Sequence, residues 1–247
     1  MVRFMVLTTQ RSGSTFFCTS LASSPHICCE PQAFGRPPSK FRTFIDDKLP
    51  AGMAFDHLRP KDRRSLVEQF LDRTFSNIQG AKSMGLRLMY DHIWQTPEIL
   101  PWMVLYSVHL IHLIRRNRLK TLLSRQIARR TGRYHSKRPL SPVQVRVPCH
   151  NLIPKLIQIK TERRQSKRDL SRLYPYMEIF YEDFVAHRKR ETARIGNFLG
   201  LSLLGCLKSD LVKVNPDSLK GVIQNYDEVA DTLNGTPFAR FLEEQSA

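Results

Sequence analysis

Apart from Arg3, the residues from Val2 to Thr8 are β-branched or large and apolar, and they run straight into the polar loop Thr9-Gln10-Arg11-Ser12-Gly13-Ser14-Thr15. From Ser14 to Ala22 apolar residues return at helical spacing. A strand, a loop of small polar residues and a helix start, in that order, bring backbone N–H groups and the positive end of a helix to the strand's carboxyl end. This is an anion cradle. It also begins a chain in which strands alternate with helices.

His26 to Cys29, Lys82 to Tyr90, Tyr106 to Ile114 and Tyr176 to Tyr181 read as further strands. Lys61 to Ile78, Leu119 to Arg130, Leu152 to Leu173 and Thr192 to Leu199 read as helices, the last closed by Gly200. The expected fold class is therefore α/β, with a central parallel β-sheet flanked by helices. Pro31 to Pro60 reads as a connection rich in Pro and Gly. Ile99 to Ile114 is apolar but shorter than the roughly 18 residues of a membrane span, and with Pro101, His109 and His112 it reads as a loop followed by a buried strand. Four prolines between Pro139 and Pro154 make 131–154 an expected loop or lid. No internal repeat or linker interrupts the 247 residues, so 1–247 is expected to be a single domain.

The formal net charge of +17 calls for an anionic partner or ligand. It is concentrated, because Ile99 to Thr161 holds 13 of the 39 Lys and Arg residues and no Asp or Glu. Such a stretch suits a nucleic-acid stripe, peripheral contact with an anionic membrane, or a phosphate pocket. No helix-turn-helix, zinc-finger or RNP pattern accompanies it, which disfavours nucleic acid. Five cysteines without CxxC spacing indicate neither a disulfide framework nor a metal site, and suit a reducing cytoplasm. The run from Met1 to Leu7 is too short for the apolar core of a signal peptide, so a cytoplasmic location is expected.

Within the loop, Arg11 offers a planar donor fork beside the backbone N–H groups of Ser12 to Thr15. The GxxxxGK[ST] pattern of nucleotide-hydrolysing P-loops, with its phosphate-binding Lys, is missing. A second element, His109 to Arg118, ends a strand at Arg116, and Ser124 follows eight residues later on the next helix. A guanidinium and a hydroxyl so spaced can meet on one phosphate.

Together the two elements resemble the sulfotransferases that use 3′-phosphoadenosine-5′-phosphosulfate (PAPS). Arg11-Ser12-Gly13-Ser14-Thr15, Glu30 nineteen residues after Arg11, and Gly85-Leu86-Arg87-Leu88-Met89-Tyr90 look closest to the bacterial carbohydrate branch that includes trehalose and nodulation-factor sulfotransferases. Tyr181-Glu182-Asp183-Phe184 and Phe198-Leu199-Gly200-Leu201 resemble later family segments. The resemblance implies a P-loop-NTPase-like sulfotransferase fold. It assigns Thr9, Gln10, Arg11, Ser12, Gly13, Ser14 and Thr15 to the 5′-phosphosulfate, and Arg116 and Ser124 to the 3′-phosphate. It further implies Arg11 at the leaving oxygen, Glu30 as general base with His92 as its substitute, no metal, and a hydroxyl-bearing acceptor such as a carbohydrate or glycoconjugate. The chain departs from the family in having Arg116-Asn117-Arg118 for the usual RNP and Arg87 for a usual Lys, and no family motif falls between Arg130 and Leu152. The rival expectations are a basic nucleic-acid-binding protein and a P-loop phosphotransferase lacking the Walker lysine.

Overall fold

In the first strand, β1 (Val2–Thr8), every residue from Phe4 to Thr8 is buried, so neither face of the strand meets solvent. That pattern belongs to the interior of a sheet covered on both sides. The computed structural model describes residues 1–35, 39–76, 80–132, 143–201, 207–211 and 218–243. Its sheet has five strands in the order β2-β3-β1-β4-β5, all adjacent pairs parallel, with β2 (Ile27–Glu30), β3 (Ser83–Met89), β4 (His109–Ile114) and β5 (Tyr176–Phe180). The chain builds one side of β1 with β2 and β3, then crosses to the other for β4 and β5. The carboxyl end of β1 is thus a topological switch point, where open α/β sheets bind ligands.

Alternation along the strands sorts two cores. Met5, Leu7, Leu86, Leu88 and Leu110 share one with residues of α2 (Lys40–Lys48), α3 (Pro60–Ser76) and α5 (Ile99–Leu105). Phe4, Val6, Ile111, Leu113 and Ile179 share the other with residues of α1 (Ser14–Leu21), α8 (Tyr181–Ala186) and α9 (Arg188–Phe198). Each fully buried Leu or Phe contributes about 1.5–3 kcal/mol, so the two layers dominate stability. Gly85 is a packing requirement, since a Cβ there would stand 2.2 Å from the Phe4 ring. A third core joins α6 (Arg118–Thr131), α7 (Leu152–Leu170) and α10 (Tyr226–Leu233) with Val145, Val147, Leu219 and Phe241.

Two expectations need correction. The connection from Pro31 to Pro60 contains α2, started by Ser39, whose side chain accepts from the Arg42 N–H at 3.3 Å and so supplies an N-cap. The apolar run from Ile99 is also helical rather than a loop. Pro101 falls in the first turn of α5, where its missing N–H has no helical partner to lose. The following strand starts at His109, after a turn through Ser107 at φ 46°. Residues 133–142 of the expected loop or lid, and Ile78 of the expected helix, lie outside the described residues. Nearer α7, Val145 and Val147 are buried, and the Val145 N–H donates to the Val222 carbonyl at 2.8 Å. Among the described residues no helix is long and apolar enough to cross a membrane.

Candidate active site

The loop after β1 is held from both ends. The Thr8 hydroxyl donates to the Leu113 carbonyl at 3.0 Å, tying β1 to β4, and the Ser12 hydroxyl donates to the Thr9 carbonyl at 2.9 Å. Arg11 (φ 65°) and Gly13 (φ 87°) both adopt left-handed backbone, which turns successive N–H groups inward as a nest for an anion. Such a conformation is uncommon for arginine. Gly13 has no substitute, because a Cβ would lie 2.2 Å from the Tyr181 ring. α1 follows with no acidic residue in its first turn, so its positive end is uncompensated by side chains.

Arginines gather around this nest. Arg11 Nε donates to Ser124 Oγ at 2.9 Å, joining the loop to α6. Arg125, the next residue of α6, donates from Nη2 to Thr9 Oγ1 at 2.6 Å and from Nε to the Gln10 carbonyl at 3.4 Å. Arg115 Nη1 donates to the Arg11 carbonyl at 3.2 Å, with its guanidinium 5.4 Å from the centre of the Tyr181 ring. From β3, Arg87 Nη1 donates to Thr15 Oγ1 at 3.0 Å. Burial pulls the Arg87 and Arg125 guanidiniums below their ordinary range, the signature of positive charge gathered away from water. The set can receive a phosphate or sulfate ester.

Arg116 is differently engaged. Its guanidinium forms a bidentate pair with Asp183, at 2.6 and 2.7 Å, and lies 4.0 Å from the centre of the Phe180 ring. Hydrogen bonding to Asp183 raises the pKa of Arg116, and the same bond lowers that of Asp183. The adjacent Glu182 accepts from the backbone N–H groups of Arg116 and Asn117. The fold therefore brings Ser124 to Arg11, while the Arg116 guanidinium is held by α8.

Glu30 ends β2, where its Oε1 accepts the Gln32 N–H at 2.9 Å and its Oε2 pairs with Lys40. Its charge acts on the Arg87 guanidinium, which connects it to Thr15. Glu30 also lines a cleft of about 850 Å³ beside β2, with Gln32, Ser39, Lys40, Thr43 and Arg73. His92 lies in α4 (Tyr90–Gln95), buried, with Nδ1 accepting the Met89 N–H at 3.3 Å. Its ring is close to Phe34 and lines a separate cavity of about 390 Å³. Burial lowers its pKa, with Asp91 opposing. No hydrogen bond joins His92 to the loop or to Glu30 among the described residues. Nor, among those residues, do three or more His, Cys, Asp or Glu side chains group so as to hold a metal ion.

No protein-family model matches the chain, and no curated protein matches its sequence. Solved structures do match. A sulfotransferase from Alicyclobacillus acidocaldarius aligns over 100% of this chain and 97% of its own, with a TM-score of 0.50 and 13% identity. The sulfotransferase domain from the curacin biosynthetic pathway aligns over 94% of this chain and 90% of its own, with a TM-score of 0.51 and 14% identity. The fold is that of the sulfotransferases. Within this sulfotransferase fold the nest occupies the switch point, and the Arg11–Ser124 bond links the two segments whose motifs carried the resemblance. Arg115 and Arg125 were not singled out from sequence, and the available signal was the stretch without acidic residues around them.

Proposed function

We propose that the chain transfers a sulfuryl group from PAPS to an acceptor hydroxyl, and the observation that carries this reading is the hydrogen bond between Arg11 and Ser124. With Arg125 on Thr9, it draws the loop and α6 into one anion-binding surface. PAPS supplies an activated sulfuryl group whose transfer leaves adenosine 3′,5′-bisphosphate. As in phosphoryl transfer, positioning and charge stabilisation are the main demands on the protein. The N–H groups of Ser12 to Thr15 and the Arg11 guanidinium would hold the 5′ end, meeting the negative charge that develops as the sulfur–oxygen bond breaks. Ser124 would serve the 3′-phosphate, and Arg116 would join it by releasing Asp183.

The acceptor oxygen attacks sulfur while its proton passes to Glu30, a general-base contribution of about 10² to 10⁴ in rate. Glu30 suits the role because it lies at a strand's carboxyl end within the electrostatic reach of Arg87, which itself holds Thr15. The adjoining cleft mixes apolar walls, Ile27, Phe44, Phe70 and Met84 among them, with the hydrogen-bonding side chains of Gln32, Ser39, Lys40, Thr43 and Arg73, a lining that can take a hydroxyl-bearing acceptor such as a carbohydrate or glycoconjugate. His92, turned toward another cavity, is the weaker candidate base. The described cysteines are free and suit a cytoplasmic enzyme.

The test is transfer of label from sulfur-labelled PAPS to a panel of hydroxylated acceptors. Transfer is expected to disappear in Glu30→Gln while adenosine 3′,5′-bisphosphate still binds. Undiminished turnover in that variant would remove Glu30 from the mechanism, and unlabelled acceptors together with absent bisphosphate binding would refute the activity.

A further inference from the structure

His92 uses one of its ring nitrogens and leaves the other idle. Nδ1 accepts the Met89 N–H at 3.3 Å, so the neutral ring carries its proton on Nε2. The side chain is only 6% exposed, yet the Nε2–H meets no acceptor among the described residues. A buried donor without a partner is costly. Gly35 leaves that nitrogen uncovered, since a Cβ there would stand 3.1 Å from it. One helical turn along stands Thr96, whose backbone N–H donates to the His92 carbonyl at 2.8 Å. Thr96 is 7% exposed, and its hydroxyl likewise has no partner among the described residues.

His92, Thr96 and Gly35 all line the cavity of about 390 Å³. Its size lies within the roughly 300–1,000 Å³ of small-molecule sites. Rings make its walls, with centres 5.2 Å apart for Phe34 and Phe41, 5.4 Å for Phe41 and Phe55, and 6.2 Å for Phe34 and His92. The charges at its rim are matched, Arg42 by Asp46 at 3.0 Å and Asp56 by Arg63 at 4.0 Å. Helix α2 divides this cavity from the cleft beside Glu30. Lys40, Thr43, Phe44 and Asp47 recur at the spacing of one helical face and line the cleft, while Phe41, Arg42 and Ile45 occupy the other face and line the cavity.

We propose that this cavity is a second ligand site, taking an uncharged aromatic ring whose one polar group accepts from His92 Nε2 and donates to Thr96 Oγ1. A flat ring fits walls built of Phe, where edge and offset contacts are favourable. A hydroxyl or a carboxamide has the required acceptor and donor together. An ionised group would enter without a counter-charge, because the rim charges are matched among themselves. No residue of the loop after β1 lines the cavity among the described residues, and binding there does not require sulfuryl transfer.

Benzamide is the probe, and toluene, a similar ring without polar atoms, is its control. Affinities are read by ligand-detected NMR titration with and without adenosine 3′,5′-bisphosphate, and the ring nitrogens by spectra of protein carrying isotope-labelled histidine. Benzamide is expected to bind saturably, to move the His92 Nε2 resonance and to bind equally well beside the bisphosphate, with toluene about tenfold weaker or worse. His92→Asn keeps an acceptor for the Met89 N–H but loses the Nε2 donor, and should weaken benzamide about tenfold. Thr96→Val keeps the shape of the side chain, should weaken it severalfold, and carries the comparison if His92→Asn fails to fold. No saturable binding, an unmoved His92 resonance, toluene bound as tightly, displacement by the bisphosphate, or affinity unaltered in the folded variants would overturn the proposal.

Discussion

Acidification should destabilise this protein through a histidine that takes no part in the proposed chemistry. His112, in the middle of the sheet, is fully buried, with Nε2 2.5 Å from the Tyr90 hydroxyl and Nδ1 bonded to the Tyr176 hydroxyl. Burial, with Arg163 and Lys167 adding repulsion, lowers its pKa from 6.5 to about 3. The folded pKa lies below the unfolded one, so the unfolded chain binds the proton first. The stabilisation is full above about pH 6.5 and is lost as the pH falls from there toward 3. At 1.36 kcal/mol per unit, the 1.5 units between pH 6.5 and pH 5 amount to about 2 kcal/mol. That is a sizeable share of a typical folding free energy of about 5–15 kcal/mol.

Other groups titrate in the same window, so the measurement is a comparison. Unfolding free energies from urea curves at pH 7, 6 and 5 would be taken for native protein and for His112→Leu. The variant should be less stable at pH 7, where the buried Tyr90 hydroxyl loses a partner at about 1–3 kcal/mol and the half-buried Tyr176 hydroxyl loses one at a smaller cost. By pH 5 the gap should shrink by about 2 kcal/mol. Parallel curves would show that His112 is not held neutral by its surroundings, and the reasoning would fail.

Gly13→Ala combines a left-handed backbone penalty of about 1–2 kcal/mol with a Cβ 2.2 Å from the Tyr181 ring. Bisphosphate affinity measured by calorimetry should fall at least tenfold, and an unchanged value would mean that the nest does not bind the ligand. Asp183→Asn frees Arg116 from its ion pair and should tighten bisphosphate binding severalfold if Arg116 reaches the 3′-phosphate. Weaker or equal binding would assign Arg116 to holding α8 against the turn between β4 and α6.

The parts of the fold readable from sequence were those written in short-range pattern. The seven residues of β1, the small residues after it and the helical spacing from Ser14 declared strand, nest and helix without reference to the rest of the chain. The helices α2 and α5 escaped because proline punctuation was read as breakage. In α5 Pro101 merely occupies a first turn, and in the Pro-rich connection the capping Ser39 was the overlooked signal. Within the site, the spacing of Arg116 and Ser124 pointed to α6, but which arginines of a basic run face the loop depends on how the helix is rotated in its packing. Arg125 turned out to face it. The hold of Asp183 on Arg116 joins residues 67 apart in sequence, and the two tyrosines flanking His112 come from 22 and 64 residues away. No local pattern carries such pairings.

The central claim is that the loop after β1, joined to Ser124 through Arg11, grips the PAPS nucleotide. Calorimetric titration of adenosine 3′,5′-bisphosphate into native protein and into Arg11→Ala tests it most directly. One nucleotide should bind per native chain, with affinity reduced about ten- to a hundredfold in the variant, the cost of removing a charged hydrogen-bond donor. No binding to native protein, or equal binding to both, would contradict the account.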